Sequence, residues 1–357
     1  MQKDKNIKKI ILKISLIILP YLLYVLIEMF ILPIDFYNFR AWEALVVKKN
    51  NSILSGPFYP NKVLFKTEFG DLAPYTKYSI PKNVEWETDK YGFRKRNTKE
   101  FPEIVIIGDS MVAGSSLSQD EILSEVLEID TGYITYPYAP SDVNNFLNEE
   151  RFIENPPKII IFEVVERGIK NIPGINITLE NSNDKKNIES LKNNSFLREI
   201  FILYDRISKK ALINYSIARI NNFNKSNQIY YFNNVPIFFL QGEVANSQLS
   251  DSEISSIVER LKEYNSYFNE RGIRFIFLPI PNKENFYYKL FPNGEKPVFL
   301  EQLIKELKNN SIEVIDTQTA FQNAFSKGEV LYHFDDTHWN VNSVKITSKL
   351  LRDLITN

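Results

Sequence analysis

The sequence predicts an α/β protein: a three-layer α/β/α domain on a parallel sheet, preceded by one N-terminal transmembrane helix. Three observations carry this. Short apolar runs rich in β-branched residues, Ile104 to Ile107, Ile159 to Phe162 and Phe275 to Leu278, alternate with stretches of helical periodicity, as buried parallel strands do. The first run ends in Gly108-Asp109-Ser110, a turn that lifts a hydroxyl out of the sheet's carboxyl edge, where open α/β sheets hold their ligands. Residues Ile10 to Leu32 form a mostly apolar run long enough to cross a bilayer.

Lys3, Lys5, Lys8, Lys9 and Lys13 lead into that run, so the positive-inside rule keeps the amino terminus in the cytoplasm and exports everything after about residue 33. A cleaved signal peptide is the competing reading. The run is long for such a segment, however, and Glu28-Met29-Phe30-Ile31-Leu32-Pro33 offers no small-residue cleavage site. Three regions follow: 1–33, a basic tip and anchor; 34–98, an extended, partly strand-forming lead-in; and 99–357, an α/β domain interrupted by an insertion at about 168–239.

Among 357 residues, 43 basic and 44 acidic side chains give a net charge of -1, without the basic footprint of a nucleic-acid binder. The absence of cysteine excludes thiol catalysis, disulfides and cysteine-based zinc sites, and two histidines leave little for a His-rich metal site. No cofactor or metal is called for.

Along the chain, Thr88 to Arg94 reads as a Gly turn beside a surface arginine. After the Gly-Asp-Ser turn, Leu117 to Leu127 carries the apolar spacing of a helix covering the sheet. A strand at Gly132 to Tyr136 runs into the loop Pro137-Tyr138-Ala139-Pro140-Ser141, and Ile159 to Phe162 continues into Glu163-Val164-Val165-Glu166-Arg167. The insertion breaks the alternation with an amphipathic helix from about Phe196 to Ile220, either a lid over the cleft or a solvated decoration. Alternation resumes with a helix over Asp251 to Asn269, stopped by Gly272, and a strand that ends in Pro279-Ile280-Pro281-Asn282-Lys283. A helix at Val298 to Leu307 and a strand at Ile312 to Ile315 complete four or five parallel strands, and Asn340 caps a final helix.

A serine nucleophile needs a general base and a group to orient that base. Both histidines, His333 and His338, lie in Tyr332-His333-Phe334-Asp335-Asp336-Thr337-His338-Trp339-Asn340, so the base is nearly located by counting. The start of the final helix would hold His338 over the carboxyl edge, opposite Ser110. His333 reads as a surface or packing residue. Asp335 and Asp336 both precede His338, and only one need accept its ring N–H.

A Gly-Asp-Ser after an early strand, with Asp-x-(x)-His near the end, resembles the SGNH (GDSL-type) hydrolase superfamily. Glu163-x-x-Glu166-Arg167, Pro-x-Pro-x-Lys ending at Lys283, and Asp336-Thr337-His338-Trp339 are similar to its alginate O-acetyltransferase-like (AlgJ/AlgX-type) branch. The resemblance implies a flavodoxin-like domain in which Ser110 attacks and His338 is the base. The superfamily's usual Asp-x-x-His selects Asp335, whereas the branch's Asp-x-His selects Asp336, and Thr337 and Trp339 extend the second match. Ala139 stands nearest the loop glycine whose N–H would serve the oxyanion. The superfamily's block asparagine is missing, and Glu166 and Arg167 stand in its place, Arg167 offering charge-assisted donors. Asp109, Lys283 and Trp339 complete the implied site, with Lys283 toward a polar or acidic sugar. In the alginate branch the serine follows the Asp-x-His; here it precedes it.

The implied activity is O-acyl, chiefly O-acetyl, transfer to an envelope or secreted polysaccharide by an exported domain on a single-pass anchor. A membrane-bound acyltransferase would supply the acyl group. The alternatives are a carbohydrate esterase or deacetylase with the same residues, and a catalytically silent polysaccharide-binding assembly protein.

Overall fold

The computed structural model describes residues 2–48, 54, 56–74, 76–96, 100–177, 194–209, 211–223, 229–240, 249–292 and 294–356. Helix α1 (Gln2–Phe30) contains one stretch, Lys9–Phe30, long and apolar enough to cross a membrane, and that stretch is not buried by the rest of the chain. Helix α2 (Ala41–Leu45) and an antiparallel hairpin, β1 (Val63–Glu68) with β2 (Lys82–Glu87), follow it. This lead-in is packed rather than merely extended, because Leu45, Phe58, Tyr59, Val84 and Trp86 join the core of the α/β domain.

The α/β alternation begins with β3 (Ile104–Ile107), α3 (Leu123–Thr131), β4 (Thr135–Tyr138), α4 (Val143–Leu147), α5 (Glu150–Glu154), β5 (Ile159–Val165) and α6 (Glu166–Ile169). The insertion holds α7 (Ser195–Ser208), α8 (Ala211–Phe223) and a small hairpin, β6 (Tyr230–Phe232) with β7 (Val235–Ile237). Then come α9 (Asp251–Asn269), β8 (Arg274–Ile280), α10 (Lys283–Phe286), α11 (Phe299–Asn309), β9 (Glu313–Val314), α12 (Thr317–Ser326) and α13 (Val341–Thr356).

The central sheet runs β4-β3-β5-β8-β9, with every neighbouring pair parallel. Its first strand lies inside, so the chain moves one way to β4 and the other way to β5. That reversal is the topological switch point, at the carboxyl end of β3. Strand residues alternate between two cores. Ile104, Ile106, Ile161, Ile276 and Leu278 pack with Leu123 and Leu127 of α3 and Val344 and Leu351 of α13. Val105, Ile107, Ile160, Phe162, Phe275 and Phe277 pack with Leu261, Tyr264 and Phe268 of α9 and Leu303 and Leu307 of α11. The result is the expected three layers.

Local boundaries move for identifiable reasons. The helix expected from Leu117 starts at Leu123, because Ser118 and Glu121 cap each other around a separate turn, Gln119–Glu121. Gly132, at φ 74°, ends α3 and delays the next strand to Thr135. The single insertion helix is two, α7 capped at its start by Asn194 and ending at Ser208.

Candidate active site

Ser110 sits in the turn that leaves β3, and the turn is built by its neighbours. Asp109 Oδ1 accepts from the Met111 N–H (2.8 Å), and the Asp109 N–H donates to Glu163 Oε2 (3.1 Å) at the end of the adjacent β5. Only glycine fits at 108: a Cβ there would stand 2.3 Å from Glu163 Oε2 and 2.6 Å from Val112 Cγ2. Ser110 itself is half-buried, reachable from solvent.

The histidine stretch folds back on itself before α13. Tyr332 bridges Trp339, the Asn340 N–H donates to Leu331 O (3.0 Å), and Asn340 Oδ1 accepts from the N–H groups of Asn342 and Ser343 at the helix start. His338 Nε2 lies 2.8 Å from Ser110 Oγ, and His338 Nδ1 lies 2.5 Å from Asp336 Oδ1. With the ring proton on Nδ1, the imidazole donates to Asp336 and accepts from the serine. Asp336 is wholly buried but fully engaged. Its Oδ1 also accepts the His338 N–H (2.9 Å), and its Oδ2 accepts from Ser116 Oγ (2.7 Å) and the Asp71 N–H (3.2 Å).

The electrostatics follow from that burial. Desolvation works against a charged imidazole, but the Asp336 carboxylate and its hydrogen bond outweigh it, with help from Asp71, and hold His338 above the ordinary histidine value. His338 in turn overcomes the desolvation of Asp336 and keeps that carboxyl well below its usual range. His333 differs: burial pushes it down to about 4, it remains neutral near pH 7, and its N–H donates to His338 O (3.2 Å).

Several expected site residues do other work. Asp335 does not reach the imidazole; its carboxylate takes Lys82 Nζ (2.8 Å) and the N–H groups of Gly70 (3.0 Å) and Ile80 (2.9 Å), clamping the lead-in to the histidine stretch. Lys283 is buried, not a surface cation. Its ammonium donates to the carbonyls of Phe238 (2.7 Å), His333 (2.7 Å), Phe334 (3.2 Å) and Asp336 (2.9 Å), and burial pushes it down to about 8. Trp339 is fully buried in the core. Ala139 is likewise closed off, so its N–H is not open to an oxyanion. Glu166 is buried and accepts the Asn282 N–H (2.9 Å), joining the ends of β5 and β8, and burial raises it to about 7. Arg167 is half-buried at the same edge, with its N–H and Nη1 on Asn282 Oδ1 (3.2 and 3.4 Å). Arg94 is no surface arginine: it lies under Trp86 and donates to the carbonyls of Ala113, Glu85 and Leu117, fixing the loop after Ser110.

Asp71 is the residue that sequence reasoning missed. Its carboxylate accepts the Thr337 N–H (2.9 Å) and hydroxyl (2.7 Å), lies 4.0 Å from His338 Nδ1, and meets Arg40 Nη1 at 3.4 Å. The only available signal was a second Gly-Asp pair, Gly70-Asp71, in a segment with no periodicity. Asp71, Asp336 and His338 also bring their ligand atoms within 4.8 Å of one another. Each is engaged in hydrogen bonds, and the Arg40 guanidinium already supplies the positive charge beside Asp71. This donor set is therefore a hydrogen-bonded relay rather than a metal cradle.

Residues 238–355 match the profile of the SGNH hydrolase-like domain of acetyltransferase AlgX. The match covers Lys283, Asp336 and His338 but leaves Ser110 and Arg167 outside. No curated protein matches the chain. Among solved structures, a Bacteroides fragilis protein described as an acylhydrolase aligns with 73% of this chain and 90% of its own, at 12% identity and a TM-score of 0.32. A Bacteroides ovatus protein described as a GDSL-like lipase aligns with 63% of this chain and 79% of its own, at 13% identity and a TM-score of 0.19. The fold is SGNH-like, a parallel five-stranded sheet between helices, and over its C-terminal third the chain resembles the AlgX-type acetyltransferases to which its motifs point.

Proposed function

We propose that this chain is a membrane-anchored serine O-acyltransferase that moves an acyl group, chiefly acetyl, onto a hydroxyl of an envelope or secreted polysaccharide. The observation that carries the reading is the line from Ser110 Oγ through His338 to Asp336, at 2.8 and 2.5 Å, opening at the switch point of the sheet. Transfer is favoured over hydrolysis by the acetyltransferase character of the matched profile.

Ser110 Oγ attacks the carbonyl carbon of a donor ester while its proton passes to His338 Nε2. Asp336 remains ionised and stabilises the imidazolium through the Nδ1–H bond. The carbonyl oxygen becomes an oxyanion, to which the Ser110 N–H and the Arg167 guanidinium donate. Neighbouring amides are committed elsewhere, Asp109 N–H to Glu163 and Met111 N–H to its own turn. Collapse of the intermediate expels the donor alcohol, which takes the proton back from Nε2 and leaves acyl-Ser110. A sugar hydroxyl then gives its proton to Nε2, attacks the acyl carbon, and leaves as the new ester, while Ser110 recovers its proton. In this reading α1 is an uncleaved span with its amino terminus in the cytoplasm. The catalytic domain faces outward, where a membrane-bound acyltransferase supplies the acyl donor.

The test supplies the purified full chain with a chromogenic acetyl ester, with and without polysaccharide acceptors. Acetylated sugar that forms with wild type and not with Ser110→Ala supports the reading. Free acetate alone, undiminished by acceptor, assigns an esterase instead. Polysaccharide binding that Ser110→Ala leaves intact, with no ester turnover in either protein, assigns a silent binding role.

A further inference from the structure

Helices α7 and α8 turn apolar faces outward. On α7, Ile202 and Asp205 are buried, Asp205 accepting from the Tyr59 hydroxyl (2.7 Å) and the Lys48 N–H (3.3 Å). Phe196, Ile200 and Tyr204 recur every fourth residue on the opposite side and are 71, 44 and 69% exposed. At 3.6 residues per turn they form one stripe that points away from the protein. Helix α8 repeats the pattern with Ile213, Ile217 and Ile220, all exposed. Single exposed apolar residues need no explanation, but two stripes on consecutive helices mark a surface that meets something apolar.

Helix α7 is tied to the end of α1, and α8 to the segment that follows it. Arg206 Nη2 donates to Glu28 O in the last turn of α1 (3.0 Å), and the Tyr215 ring lies 5.9 Å from that of Tyr37. A cavity of about 600 Å³ opens at this junction, lined by Glu28, Ile34, Tyr37, Arg206, Lys209 and Tyr215 among others. The 22 residues of Lys9–Phe30 match the hydrocarbon thickness of a bilayer, about 30 Å at about 1.5 Å per residue, so their last turn stands at the outer headgroup boundary. The Arg206–Glu28 bond therefore holds the carboxyl end of α7 at that depth.

We infer that α7 and α8 lie in the outer headgroup layer of the membrane spanned by α1, with their two stripes sunk into the acyl chains just below the headgroups. The occupant of this surface is lipid, because the surface is continuous with the span itself, and aromatic and branched apolar residues beside basic ones suit that depth. With α1 alone the domain would swivel on its tether. Two interfacial helices fix its tilt and the height at which Ser110 meets a substrate. The inference rests on the reading of α1 as a membrane span.

The chain has no cysteine, so a single introduced cysteine takes a nitroxide label without competition. The full chain is placed in phospholipid nanodiscs as Tyr204→Cys, Ile217→Cys, Leu19→Cys within α1, and Ile129→Cys on α3, which is 78% exposed and serves as the aqueous reference. Collision with oxygen, which partitions into acyl chains, is compared with collision with a water-soluble nickel chelate. The expected result is an oxygen-to-nickel ratio several-fold higher at 204 and 217 than at 129. Ratios equal to that at 129, with Leu19 in lipid, overturn the inference and leave the span intact. Protection of 204 and 217 from both reagents also overturns it, since it marks a second copy, another protein or a closed lid. An aqueous Leu19 removes the span and the inference together.

Discussion

The Asp71 carboxylate holds Thr337 by both its N–H and its hydroxyl and comes within 4.0 Å of the His338 Nδ1, while the Asp71 N–H donates to Asp336. A residue of the lead-in thus shapes the environment of the imidazole. Arg40, beyond the end of α1, meets the same carboxylate at 3.4 Å, so charge alternates outward from the imidazole.

That alternation predicts opposite pH shifts. His338 is held above the ordinary value of about 6.5 and accepts a proton only when neutral, so kcat/KM falls as pH drops through that raised value. Asp71 contributes to the rise and Arg40 opposes it. Asp71→Asn therefore moves the acid limb to lower pH, and Arg40→Leu moves it to higher pH. Ester turnover followed across pH checks both. Shifts of the same sign in the two variants would show that the charges act through some other route.

The two adjacent aspartates separate cleanly. Asp336→Asn removes the partner of the Nδ1 proton, and turnover falls by about 10³- to 10⁴-fold with folding largely kept. Asp335→Asn leaves the imidazole its partner but strips Lys82 of a buried counter-ion, costing about 3 kcal/mol of stability. Denaturant midpoints beside kcat values distinguish them.

Much of this arrangement was legible in the chain. Ser110 is announced by a wholly buried strand ending in Gly-Asp-Ser, and His338 by the scarcity of histidine. Asp336 over Asp335 followed from the Asp-Thr-His-Trp match, and the structure shows why one spacing works: Asp336 bonds both the backbone N–H and the ring of the residue two places on. Periodicity could not reach Asp71, Arg40 or Lys283. Their roles come from pairings across the fold, such as Asp71 with Thr337, which no local pattern encodes. Lys283 was expected to face a sugar; its burial was not legible because lysine is almost never buried without partners, and its partners here are backbone carbonyls, silent in sequence.

Lys283 therefore acts as an internal clamp on the loop that carries Asp336. Lys283→Met replaces the ammonium with a side chain of similar length that donates nothing, leaving the carbonyls of Phe238, His333, Phe334 and Asp336 without it. The expected loss is about 1–3 kcal/mol, the cost of leaving buried acceptors without their donor. Turnover falls further than stability alone explains, because the loop no longer holds His338 toward Ser110. Equilibrium unfolding and kcat measured on the same preparation test this, and an unchanged unfolding midpoint would refute the clamp.

At the other end of the relay, Gly108 and Glu163 constrain the serine turn together. The Glu163 carboxyl is fully buried beside Asp109, which pushes it well above the usual carboxyl range and favours its neutral form. Neutral Glu163 still accepts the Asp109 N–H, and a glutamine amide oxygen can do the same. Glu163→Gln should therefore leave both stability and turnover nearly unchanged, whereas Glu163→Ala orphans that N–H at a cost of about 1–3 kcal/mol. Gly108→Ala drives a methyl into Glu163 Oε2 and Val112 Cγ2, and overpacking there costs about 1–3 kcal/mol while displacing Ser110 from His338. Combining Gly108→Ala with Val112→Ala clears one of the two clashes, so the double variant should recover part of the lost turnover. No recovery would mean that the Glu163 contact alone sets the turn.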